Sequence, residues 1–240
     1  MKSEDSLNVA NTGEESKIGE FVFPDEYPMI VLGNSLLFDW CKGLAKDQSR
    51  IPHPYEMLHY PWLLAGFFAL FFTSLNLLPI GQLDGGHVLY GLIGTRWHRK
   101  IARGVFLAFI FYAGLGILTP YDTAETILFN IPLPFAIALY IFFLYTILTS
   151  VYKDKVTRLM VALIIFTPQF TLPMLNPDLT GYSGWLVFSF ILGRVIGVYH
   201  PPVPVETPLD LKRKVIGWIA LIIFVISFSP NPVYIETLTP

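Results

Sequence analysis

The stretch Asn76-Leu-Leu-Pro-Ile-Gly-Gln-Leu-Asp-Gly-Gly-His87 holds the residues best placed to do chemistry. Asp84 is the only charged residue between Pro61 and Thr95. A carboxylate at mid-membrane costs about 2.5–3.5 kcal/mol even on a lenient insertion scale. It therefore needs a cation, a metal ion or a water-filled cavity. Pro79 and Gly81 interrupt the helix ahead of it, and a broken helix at membrane depth must face protein or a polar space. Gly85 and Gly86 remove side chains just after the acid, so a ligand or another backbone can come close. Asn76 adds an amide able to bond an extended peptide. The pattern predicts a polar pocket around Asp84, with Asn76 binding backbone and Pro79, Gly81, Gly85 and Gly86 shaping the walls.

The other metal-binding residue types are scattered. The chain has five histidines, at 53, 59, 87, 98 and 200, and no two are four apart. His53-Pro-Tyr-Glu56-Met-Leu-His59 has suitable residue types, but its spacing is wrong and its prolines oppose a helix. His87, three residues after Asp84, shares its helix face and either joins it on a metal or packs behind it. His98 sits among Arg96, Arg99 and Lys100 and reads as a solvated loop. His200, before Pro201-Pro202, reads as the exit from a span. Cys41 is the single cysteine, so no internal disulfide or CxxC site exists. There is no Gly-x-Gly-x-x-Gly and no phosphate loop.

The elements that must hold these residues are apolar helices. Hydrophobic residues make up 53% of the 240 and charged residues only 14%, where a soluble domain carries about a quarter. The net charge of −2 removes the electrostatic reason to expect nucleic acid. Long uncharged runs predict an all-α polytopic membrane protein of about six helices, near 61–79, 104–119, 132–151, 157–168, 183–199 and 215–230. The fourth run is short for a crossing. Arg96, Arg99, Lys100 and Arg103, then Lys153, Lys155 and Arg158, then Lys212, Arg213 and Lys214 occupy alternate loops. The loops 120–131 and 169–182 and the tail after Ser229 have no Lys or Arg. This asymmetry puts the basic loops in the cytoplasm, and the N-terminal segment and C-terminus on the far side. Trp62, Trp97, Trp185 and Trp218 fall near predicted helix ends, and Arg194 lies close enough to one to snorkel.

Three regions follow. Residues 1–60 hold ten acids and five bases and form an acidic, partly disordered extracytoplasmic segment, with residues 1–20 unstructured and a short amphipathic helix capped by Asn34. Residues 61–95 are the span carrying the Asp84 motif. Residues 96–240 supply five further helices and their loops. No signal peptide precedes the acidic segment, and its placement outside implies further hydrophobic segments upstream.

The 76–87 stretch closely resembles the Asn-x-x-Pro-x-x-x-Leu-Asp-Gly motif of the site-2 proteases, zinc-dependent intramembrane metalloproteases, with Asn76, Pro79, Leu83, Asp84 and Gly85 at the family spacing. His53-Pro, Gln82, His87 and the late run His200-Pro-Pro…Glu206-Thr-Pro-Leu-Asp210…Gly217-Trp resemble its bacterial and plastid-type branch. The resemblance implies hydrolysis of a transmembrane protein substrate by metal-activated water. It makes Asp84 the third zinc ligand and Asn76 a substrate-binding residue. In that family an HExxH helix supplies two histidines and a general base. No HExxH occurs in these 240 residues, so no catalytic residue is assigned and the chain by itself is expected to be inactive. Three readings stand. The missing helix is upstream or on a separate polypeptide; or the chain is a non-catalytic membrane peptide binder; or Asp84 serves ion or proton transport.

Overall fold

The computed structural model describes residues 27–47, 51–123, 125, 127, 130–201 and 208–238. The disorder expected for residues 1–20, and Glu206, lie outside the described residues.

Strand β1 spans Tyr27–Leu32 and helix α1 Leu36–Gly43. A 3-10 turn at Pro54–His59 leads into α2, Pro61–Asn76. Then come α3 (Asp84–Gly114), α4 (Leu133–Ile147) and α5 (Lys155–Leu175). Helix α6 (Trp185–Ile191) runs on as a π-helical turn, Leu192–Ile196. Helix α7 (Leu211–Ser227) and β2 (Val233–Leu238) complete the order.

The ends of these helices have local causes. Ser35, not Asn34, caps α1: its Oγ accepts from the Phe38 N–H at 3.2 Å. Asp154 caps α5 through the Thr157 N–H at 2.7 Å, and Asp210 caps α7 through the Arg213 N–H at 2.9 Å. Pro61 opens α2, where a missing N–H is harmless. Helix α3 bends at Gly94, whose φ is 73°.

The molecule is mostly helical, with a two-stranded sheet that the all-α expectation lacks. Strand β1 pairs antiparallel with β2 from Tyr27↔Leu238 to Leu32↔Val233. Both chain ends of the described structure are thus stapled together.

Helix α3 is the central post. It packs against α5, α6 and α7, while α2 lies on α7 and α4 on α5. Phe106 and Ile110 of α3 are fully buried. Trp185 is buried too, between Phe71, Phe109 and Phe228, and its Nε1–H donates to the Pro230 carbonyl at 2.6 Å. It is therefore a core residue and not the interfacial anchor its position in the sequence suggests, whereas Trp62, Trp97 and Trp218 are exposed. Arg194 is exposed and donates to Thr149 Oγ1 at 3.1 Å.

Among the described residues, two helices are long and apolar enough to cross a membrane: α4 with its 3-10 extension, Leu133–Ser150, and α5, Lys155–Leu175. The fourth predicted span is thus not short; it is a 21-residue helix that continues through Pro168 and Pro173. Helix α2 and the run Trp185–Ile196 are apolar but shorter. The second predicted span is the latter part of α3, which begins twenty residues earlier, at Asp84.

Candidate active site

The predicted break is present between α2 and α3. Asn76 is the last residue of α2, Asp84 is the first of α3, and residues 77–83 between them are not helical. Pro79 stands in this segment, which cannot sustain an α-helical ladder through it. The break is short because it is held from outside. The Gly81 N–H donates to the Val198 carbonyl at 2.9 Å, and Gln82 Nε2 donates to the Ile196 carbonyl at 3.3 Å. The π-helical turn after α6 is thereby laced to the segment that precedes Asp84.

Glycine is required here by contact. Gly81 has φ 62°, and a Cβ on it would strike the Gly197 carbonyl. A Cβ on Gly85 would strike the Leu77 carbonyl, and one on Gly86 the carbonyl of Gly81. The glycines let the first turn of α3 rest directly on the backbone of the break. Leu78 and Ile80 point into the core beneath it.

Asn76, Gln82, Asp84 and His87 are all exposed. The Asp84 carboxylate therefore faces outward at the N-terminus of α3, where the helix dipole favours negative charge. Among the described residues no ion pair involves Asp84. The pocket expected from the sequence has a floor, made by the break, but its polar side chains lie on an open face.

His87 is turned toward another group. Its Nδ1 lies 2.6 Å from His200 Nε2. His200 Nδ1 also contacts the Pro201 carbonyl, which can only accept, so this nitrogen carries a proton, and in the neutral ring Nε2 accepts from His87. The His200 ring stacks on Tyr90, with centroids 4.3 Å apart, and is buried. It is a packed, hydrogen-bonded link between the chain after α6 and α3, which its place beside two prolines does not reveal.

His98 differs most from its sequence reading. It is fully buried, edge-on to Tyr90 and His200, and among the described residues neither ring nitrogen has a hydrogen-bond partner. Burial, and then the nearby His200, Arg99 and His87, lower its pKa from 6.5 to about 4. The imidazole is neutral at physiological pH. The neighbouring Arg96, Arg99 and Lys100 are exposed, as a basic loop would be; His98 alone of this run turns inward.

Among the described residues, no group of three or more His, Cys, Asp or Glu side chains is arranged to hold a metal ion. A carboxylate is a proper zinc ligand, yet one carboxylate is not a site. The residues present do not fit a zinc ion by themselves.

Residues 49–120 match the model of peptidase family M50, the site-2 metalloproteases. The matched stretch contains the 3-10 turn, α2, the break and all of α3. It is thus the region in which Asn76, Pro79, Gly81, Asp84, Gly85 and Gly86 are brought together. No curated protein and no solved structure matches the chain.

Proposed function

We propose that this chain is the aspartate-bearing part of a site-2-type intramembrane metalloprotease, which cleaves a transmembrane protein substrate. The observation that carries the reading is the α2–α3 break inside the M50 match. It presents Asn76 and Asp84 on one exposed stretch over a floor of close-packed glycines.

In this reading zinc supplies the hydrolytic chemistry, and Asp84 contributes one ligand. The remaining ligands and the general base come from outside these residues, on an HExxH helix that covers the open face. Asn76 donates and accepts hydrogen bonds with the backbone of an unwound substrate segment. The rigid backbone of 77–83 sets how closely that segment can lie to the carboxylate. The paired strands β1 and β2 support a common side for the N-terminal segment and the C-terminus, since hydrogen-bonded strands must share a compartment. That is the arrangement the loop charges require, with the basic loops cytoplasmic.

The lack of a metal-holding group among the described residues favours one second reading, a membrane peptide-binding relative without catalysis. Isolation of the chain from native membranes together with its associated polypeptides separates the two. The protease reading expects about one zinc per assembly, lost in Asp84→Asn, and none retained by the purified chain alone. The peptide binder expects no zinc in either sample, but cross-linking of a single-span peptide to a photoreactive residue at Asn76. Stoichiometric zinc on the chain alone would overturn both.

A further inference from the structure

A cavity of about 370 Å³ opens where the end of α4 meets α3, within the range of about 300–1,000 Å³ typical of small-molecule sites. Arg99, Lys100 and Arg103 of α3 and Lys153 of the α4–α5 turn line it, with Ser150 and Tyr199. Among the described residues, no carboxylate is in the lining. Among the described residues, none of the four cations makes an ion pair. The nearest acid in sequence, Asp154, is occupied: its Oδ2 accepts from both the N–H and the hydroxyl of Thr157, each at 2.7 Å.

Four like charges around one recess repel one another unless an anion sits between them. A second feature points the same way. Ser150 lines the cavity, and its Oγ is buried without a hydrogen-bond partner among the described residues. Arg158 and Arg194 lie at the same helix end, and both are turned to neutral partners: Arg158 to the Tyr145 ring and the Lys153 carbonyl, Arg194 to Thr149. Lys100 also lies over the Trp97 ring, 4.9 Å from its centroid, so Arg99, Arg103 and Lys153 are the lining cations without such a partner among the described residues. An oxyanion with several acceptor oxygens would satisfy these cations and the serine hydroxyl together.

The depth of the recess selects the source of that anion. Ser150 ends one membrane-length helix, Leu133–Ser150, and Lys155 begins the next. The cavity thus lies at the level where both helices leave the hydrocarbon, which is where headgroups are found. Basic pockets between helices at this level suit anionic lipid headgroups. We propose that this cavity binds the phosphate of an anionic phospholipid. The proposal rests on the membrane placement of α4 and α5, and it is independent of the proteolytic reading.

The test uses the purified full chain in zwitterionic detergent, titrated with dioctanoyl phosphatidic acid. Dioctanoyl phosphatidylcholine and inorganic phosphate are the comparisons. Saturable binding of phosphatidic acid is expected, with none of phosphatidylcholine. Arg103→Gln with Lys153→Gln should weaken it at least tenfold. Lys155→Gln with Lys214→Gln removes the same charge outside the cavity and should change it less than twofold. Ser150→Ala, a milder change that does not alter charge, should weaken binding about threefold, and it covers the case in which the double variant fails to fold. Equal loss in the two double variants would reduce the effect to general surface charge and overturn the site. No saturable binding would also overturn it. Inorganic phosphate binding as tightly as phosphatidic acid would overturn the lipid source.

Discussion

His87 Nδ1 and His200 Nε2 meet at 2.6 Å although 113 residues separate them. The contact joins α3 to the chain that follows α6, and it forms one wall around buried His98. His98 has a pKa lowered from 6.5 to about 4 by burial and by its neighbours His200, Arg99 and His87. Between those values the unfolded chain takes up a proton that the folded chain refuses. The contribution of His98 to stability is therefore complete above pH 6.5 and declines on acidification toward about 4. The slope is at most about 1.4 kcal/mol per pH unit from this group. Unfolding midpoints in detergent, measured across that window, should fall with acid in the parent and much less in His98→Phe. Parallel curves would show that His98 is not responsible.

The glycines of the break make a sharper structural claim. Gly81→Ala meets a carbonyl and a left-handed backbone, so it should cost at least about 2 kcal/mol. Gly85→Ala should cost a similar amount, because its Cβ would overlap the Leu77 carbonyl. Gly104, within α3, has open space where its Cβ would be, and Gly104→Ala should stabilise by about 0.5–1 kcal/mol. Asp84→Asn, on an exposed carboxylate without an ion pair, should leave the unfolding midpoint close to the parent value. A Gly85→Ala protein as stable as the parent would remove the close-packed floor from the proposed site.

These positions also mark what one sequence can and cannot reveal. Apolar runs and the Pro79–Gly81 interruption are local signals, and they placed the helices and the break. The outward face of Asp84 was not legible, because exposure is decided by what other elements leave uncovered. His98 looked solvated because its neighbours in sequence are charged; Tyr90 and the return of His200 pack against it. Trp185 looked like an interfacial anchor because it begins an apolar run, but Phe71, Phe109 and Phe228 arrive from three other helices or their ends. The β1–β2 pair joins segments some two hundred residues apart, beyond the reach of any pattern read along the chain.

Gln169 is a polar residue whose importance the sequence also concealed. It is buried within α5, and its Nε2 donates to the carbonyls of Ile110 and Phe111, both at 3.0 Å. Its Oε1 accepts from the Tyr140 hydroxyl at 3.1 Å. One side chain thus ties α5 to α3 and α4. Gln169→Leu strands the tyrosine hydroxyl and should destabilise by about 1–3 kcal/mol. Adding Tyr140→Phe should return part of that loss, since no buried donor is then left alone. Thermal unfolding of the single and double variants measures the coupling, and strict additivity would argue against the bridge.

Cys41 allows the orientation to be tested without adding a probe. It is the chain's single cysteine, it is exposed, and it lies near the end of α1, five residues after Leu36, where that helix starts. Strand pairing holds β1 and β2 in one compartment, and the proposed orientation, drawn from the loop charges, has that compartment on the far side from Arg99, Lys100 and Arg103. A membrane-impermeant maleimide added to intact cells should therefore modify Cys41. In a Cys41→Ser background, Lys100→Cys should react only after the membrane is opened. The reverse pattern would place the basic loops outside. It would invert the proposed orientation.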